Sequence, residues 1–127
     1  MRTQTTRRRR RALVFLTLAA TLLLAACDPP GKGPKAERGY RRADPVMQAL
    51  AAYRAAQGAY PAALAELVPR YLAAHALAVP RREQEAYPLE YRRTANGYEL
   101  SFRYVGPGMN ECTYRVPPGE WECGGYF

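Results

Sequence analysis

The chain has 127 residues, enough for one small domain and a tail, and a formal charge of +8 that points first to nucleic acid or an anionic membrane. Six of its 19 basic residues, Arg2 and Arg7 to Arg11, lie in the first 26 positions, where there is no acid; the rest has 13 basic against 11 acidic groups, a net of +2. No segment beyond residue 26 carries a basic stripe dense enough to track phosphates, which excludes a nucleic-acid binder.

Arg7 to Arg11 lead into an apolar run, Ala12 to Ala26, which closes on Leu24-Ala25-Ala26-Cys27. A basic n-region, a short apolar h-region and small residues at the cleavage site describe a secretory signal peptide over residues 1–26. The run is about 15 residues, short of the ~20 that a transmembrane helix needs. A twin-arginine signal would continue with Phe-Leu-Lys, whereas Arg11-Ala12-Leu13 follows here. With a cysteine directly after Leu-Ala-Ala, the pattern resembles a bacterial lipobox. The resemblance implies that Cys27 is lipidated and becomes the new N-terminus. It also implies a membrane partner through the lipid, and a protein of the cell envelope facing the periplasm. Asp28 resembles the signal that retains enteric lipoproteins in the inner membrane, so the inner membrane is favoured slightly over the outer.

Asp28-Pro29-Pro30-Gly31-Lys32-Gly33-Pro34-Lys35 reads as a linker, because proline stiffens it and glycine breaks regular structure. Residues 27–42 are thus expected to form a lipidated cysteine and a tether. Extended at ~3.1 Å per residue, it would reach roughly 45 Å. Arg38, Arg41 and Arg42 are its basic cluster, either a solvated charge run or a help in hugging anionic headgroups.

The folded head is expected over 43–127. Asp44 suits an N-cap and Pro45 a first helical position, where its missing N–H is not needed. Val46, Leu50, Tyr53 and Gln57 follow at helical spacing, and Gly58 provides the stop. Tyr60-Pro61 opens a second short helix carrying Leu64, Leu67, Val68, Tyr71 and Leu72, interrupted by Pro69. Beyond Pro80 the period becomes two. Leu89 and Tyr91 form one run, and Tyr98, Leu100, Phe102 and Tyr104 a second, with the hairpin dipeptide Asn96-Gly97 between them. A third run, Cys112 to Val116, and a fourth, Trp121 to Cys123, flank Pro117-Pro118-Gly119. The expected class is α+β, with N-terminal helices packed on a small three- to four-stranded antiparallel sheet.

With Pro117-Pro118 at the centre of the last hairpin, Arg115 faces Glu120, Tyr114 faces Trp121 and Cys112 faces Cys123. Opposed cysteines in an antiparallel pair lie within disulfide reach, and export supplies an oxidising compartment. The alternatives are two reduced core cysteines or a redox dithiol, the latter without a Cys-x-x-Cys spacing. Metal binding has little to build on: His75 is the single histidine, and Asp28 and Asp44 are the only aspartates. Ser101 is the only serine, mid-strand, with no histidine near it in sequence. The glutamates at 83, 85, 90, 99, 111, 120 and 122 fall where a solvated strand face is charged anyway. Nothing asks for a cofactor, and a non-catalytic protein is expected. The ten tyrosines divide between core and surface. Tyr53, Tyr60, Tyr98 and Tyr114 suit the core. Tyr126 and Phe127, together with Trp121, are the candidate partner contacts.

Tyr53 to Gly58, then Tyr60-Pro61, Leu64 and Leu67-Val68-Pro69, resemble the head of type IV pilin-like proteins, nearest the major pseudopilins of type II secretion. The likeness spans Asp44 to Tyr104. It implies an amphipathic helix, a short second helix and a small antiparallel sheet. The chain departs from that family in having no acid in its apolar run, no aspartate-rich calcium loop, and a cysteine-bearing last hairpin. The resulting expectation is a lipid-anchored envelope protein that works by protein–protein contact, as an accessory to a secretion or pilus-type assembly. The alternative is a periplasmic binding module for a glycan or peptidoglycan fragment, with aromatic stacking platforms.

Overall fold

The computed structural model describes residues 28–79 and 87–126. The signal peptide, Cys27, Glu83, Glu85 and Phe127 lie outside the described residues. One long helix, α1 (Gly33–Gln57), is followed by two short 3-10 turns at Leu64–Leu67 and Ala74–Leu77. Four strands complete the chain: β1 (Glu90–Arg93), β2 (Tyr98–Val105), β3 (Met109–Val116) and β4 (Glu120–Tyr126). They form one antiparallel sheet in the order β1-β2-β3-β4, a meander with α1 across one face. The α+β class is as expected. The plural helices are not: a 3-10 turn at Leu64–Leu67 stands in place of the second helix, because Pro61 and Pro69 leave too few residues between them for a ladder.

The expected tether also needs correction. Helix α1 starts at Gly33, ten residues ahead of the expected domain boundary, with Pro34 in its first turn. Ala36, Gly39, Ala43, Val46, Ala49 and Leu50 are its buried stripe. The helix runs through Pro45, which is exposed and interior, not at the start. Small residues explain the extension. A side chain built on Gly39 would meet the Phe102 ring at 2.1 Å, so glycine lets helix and sheet approach closely.

The two halves of α1 cover two parts of one core. Val46, Ala49 and Leu50 pack with Leu67, Leu72, Tyr98 and Leu100. Ala36 packs with Phe102, Tyr104 and Cys112, joined by Tyr40, Trp121 and Cys123. Strand β2 alternates strictly, its even-numbered residues inward and its odd-numbered ones half-exposed, as a one-sided sheet requires.

Both hairpins carry information. The β3–β4 register pairs Arg115 with Glu120, Tyr114 with Trp121 and Cys112 with Cys123, as the proline-centred turn requires. Gly119 closes that turn at φ 98°. The β1–β2 hairpin differs from its sequence signal. Its last pair is Arg93 with Tyr98, and Thr94 N–H donates to the Gly97 carbonyl at 2.9 Å across a longer loop. Gly97 has no positive φ. It is glycine because a Cβ there would lie 1.7 Å from the Val116 carbonyl oxygen.

Candidate functional site

Cys112 and Cys123 are joined by a disulfide, their Cα atoms 4.1 Å apart. The bond lies on the helix-facing side of the sheet, where alternation also places Tyr114 and Trp121. Tyr40 reaches it from α1. Its hydroxyl oxygen lies 3.2 Å from Cys123 Sγ and 3.7 Å from Cys112 Sγ, and donates to the Gly31 carbonyl at 3.1 Å. Burial, reinforced by the neighbouring Tyr104, pushes the Tyr40 hydroxyl above its usual range. Gly31 N–H in turn donates to the Tyr104 hydroxyl at 2.9 Å. Asp28 to Lys32 is therefore a turn docked on the sheet, with Lys32 N–H bonded to the Pro29 carbonyl. Gly31 stands at φ +80°, and a Cβ on it would lie 2.6 Å from Cys123 Sγ.

The aromatic residues form an internal chain. Trp121 packs against Tyr40, Phe102 and Tyr114 with centroids 5.0–5.3 Å apart. Tyr114 leads on to Tyr98, and Tyr98 to Tyr60 and Tyr91. Trp121, expected as a partner contact, is thus half-buried between helix and sheet, since its position shares the inward parity of Cys123. Tyr126 pairs with Met109 at the end of β4. Its side chain, like Phe127, is outside the described residues. Tyr98 is buried; Tyr53, Tyr60 and Tyr114 are half-buried.

The residues of the pilin-like motif have local tasks. Gly58 ends α1 in the left-handed region, its N–H donating to the Arg54 carbonyl at 2.8 Å. Tyr91 donates to the Pro61 carbonyl at 2.7 Å and Arg93 to the Tyr60 carbonyl at 3.2 Å, pinning this loop to β1. Glu66 accepts from the Tyr53 hydroxyl at 2.9 Å and from the Ala62 and Ala63 N–H groups at 2.8 and 3.0 Å. The Tyr53 bond, helped by Ala63, holds its carboxyl below the usual range.

The outward face of the sheet is a cross-strand charge ladder. Arg92 donates to Glu99 at 2.6 Å, Arg115 to Glu99 at 3.3 Å, and Arg115 also to Glu122. Arg103 pairs with Glu90, and Ser101 with Thr113 at 3.0 Å. The Arg92 hydrogen bond, with Arg115 behind it, lowers the Glu99 carboxyl below its usual range. Glu111 and Glu120 belong to the same strand parity. These carboxylates lie on a face and not in a cleft.

Three of the surface grooves among the described residues are shallow and differ in lining. One of about 570 Å³, between the end of α1 and the β1–β2 loop, is lined by Arg54, Tyr60, Arg93 and Asn96. Another, of about 660 Å³, is lined by Arg42, Gln48, Tyr71 and His75, the last exposed. The third, of about 550 Å³, lies at Asp28, Lys32, Tyr104 and Asn110. Each has a single tyrosine on its wall. Among the described residues no three His, Cys, Asp or Glu side chains could hold a metal ion, and no helix is long and apolar enough to cross a membrane.

No family model, curated protein or solved structure matches the chain.

What the site can do follows from its own chemistry. The disulfide, Tyr40, Gly31 and Tyr104 make a clasp that holds the first described residues against the sheet. Of these, Tyr40 and Gly31 were missed in the sequence reading, which assigned both to the tether. The signal was present: Ala36, Tyr40 and Ala43 stand at helical spacing ahead of Val46.

Proposed function

We propose that this is a lipid-anchored, non-catalytic protein of the bacterial envelope, lipidated at Cys27, whose α+β head works by contact with other proteins beside the membrane. The observation that carries this reading is the clasp at Gly31. A disulfide belongs to an oxidising compartment, and here it grips residues that directly follow Cys27. With only a few residues between the lipid and a docked Gly31, the head is held close to the bilayer in a set orientation. The carboxylates committed to arginine on an exposed face support a non-catalytic role. Kinship of the head with type IV pilin-like proteins, and service to a secretion or pilus-type machine, form the finer part of the proposal. The loop pinned at Tyr60-Pro61 behind Gly58 supports it.

Metabolic labelling with an alkyne fatty acid tests the anchor. Label is expected on the wild type and absent from Cys27→Ala; an unlabelled wild type sinks the reading. Sucrose-gradient separation tests the inner membrane, inferred from Asp28, and co-migration with outer-membrane porins would reverse it.

A second reading has one observation in its favour. The groove between Arg54 and Arg93 has two guanidinium groups and no acid on its wall, a setting that suits a carboxylate-bearing envelope glycan or peptidoglycan fragment. Saturable binding of muramyl dipeptide that is lost in Arg93→Ala would favour this module over a protein-contact head.

A further inference from the structure

The two edges of the sheet are unlike. The β1 edge is four residues long, Glu90–Arg93, and charged, the usual way of blunting an edge. The β4 edge is seven residues long, has no proline, and pairs with β3 in an unbroken register from Glu120 to Tyr126. Among the described residues, no backbone group outside the sheet bonds to it.

The disulfide tells which way its backbone points. In an antiparallel pair, opposed Cα atoms lie about 4.5 Å apart at positions that do not exchange hydrogen bonds and about 5.5 Å apart at those that do. Cys112 and Cys123 are 4.1 Å apart, so theirs is a non-bonded position. The N–H and C=O of Cys123 therefore point away from β3, as do those of Trp121 and Gly125 two residues either side. Three residues present a row of donors and acceptors to the open edge.

We infer that this edge pairs with the β4 edge of a second copy, antiparallel, about a two-fold axis at Cys123. Charge narrows the register. Centring on Trp121 opposes Glu120 to Glu122 of the other copy, and centring on Glu122 opposes that residue to itself; both set like charges face to face. Centring on Cys123 opposes Trp121 to Gly125 and Glu122 to Gly124. It also uses all three outward residues of each copy. Each glutamate then faces a glycine. Arg115, already bonded to Glu122, balances the carboxylate on its own copy. The result is one continuous eight-stranded sheet with both α1 helices on the same side. Gly31 packs on Cys123, beside the axis, so the two N-terminal segments emerge together on that side. Two lipids on Cys27, which rest on the function proposed above, would then enter one bilayer, and confinement there raises the effective concentration for pairing.

Gly124 offers a register-specific test. A Cβ there meets nothing within 4 Å, so a side chain fits the monomer. In the dimer it would stand opposite Glu122 of the other copy. The full chain, purified in detergent, is examined by sedimentation velocity. The wild type is expected to be dimeric. Gly124→Glu should weaken the dimer at least about tenfold and Gly124→Lys should tighten it, with Gly124→Ala between. Position 124 also faces Glu111 of β3, so far-UV circular dichroism is recorded to show that each variant is folded. A monomeric wild type, or folded Glu and Lys variants that shift association in the same direction, overturns the pairing. Repeating the series in Cys27→Ala separates the two readings. A charge-ordered series with no fatty-acid label on the chain that keeps Cys27 retains the dimer and removes the anchor; label on that chain with no charge ordering in either series does the reverse.

Discussion

At the scale of single residues, the Cys112–Cys123 bond does most to set stability. It closes a loop of 11 residues' separation, worth roughly 2.5–3 kcal/mol in the chain-entropy model. Its removal also loosens the packing of Tyr40 and Gly31. Cys112→Ala is expected to lower unfolding free energy by roughly 2–4 kcal/mol, measured by denaturant titration, and to expose residues 28–32 to protease. A second residue-scale prediction concerns alkali. Burial, with Tyr114 beside it, drives the Tyr98 hydroxyl far above its ordinary 10, and burial brings Tyr91 up to about 12. An unfolded chain would ionise these groups near 10, and the folded one resists. Their contribution is therefore complete below pH ~10 and is lost as pH rises through the folded values. Tyrosinate absorbance from these two rings should appear in one cooperative step, together with loss of near-UV circular dichroism. Gradual ionisation without unfolding would contradict their burial.

Among the elements, α1 is where sequence and structure part most. Strands β2 to β4 were legible because alternation and turn chemistry agree. Tyr98, Leu100, Phe102 and Tyr104 mark one face, and Pro117-Pro118 sets a register that opposes the cysteines. The clasp was half legible: the disulfide could be read from that register, its partners on α1 could not. The first third of α1 was hidden because its buried stripe is made of Ala36, Gly39 and Ala43, which carry almost no hydrophobic signal, and because Asp44-Pro45 imitates a helix start. Trp121, expected as a partner contact, is half-buried for a related reason. Near the chain end it resembles a surface residue, and only the completed helix reveals what covers it. Gly39→Ala tests the close approach. Alanine improves helix propensity by about 1 kcal/mol, but its methyl would collide with Phe102. Overpacking of about 1–3 kcal/mol should win, so the melting temperature is expected to fall. A rise would mean that the helix stands farther from the sheet.

Across the whole molecule, the two sheet faces divide stability between them, aromatic burial inside and ion pairs outside. The Glu99 carboxyl, held down by Arg92 and Arg115, contributes stability that is present above its unfolded value near 4.5 and is lost as pH falls through the lower folded value. Its partners are exposed, so the pair is screened and small, of order 0–1 kcal/mol. Acid unfolding is expected to steepen below pH ~4.5, and Glu99→Gln should flatten that limb. High salt should flatten it too. An unchanged acid limb in Glu99→Gln would mean that the ladder carries no net stability.

The clasp at Gly31 also has a temporal side. Its partners come from the far end of the chain: Tyr104 is 73 residues away, and the disulfide needs β3 and β4 already paired. Contacts of such separation are late to form, since a long loop must close before they repay its entropy. Until then residues 28–32 have no sheet to dock on. Completion of the fold ends that period. The fold thus acts as a timer for residues 28–32, and a variant that assembles its last hairpin too early would shorten the interval before they dock.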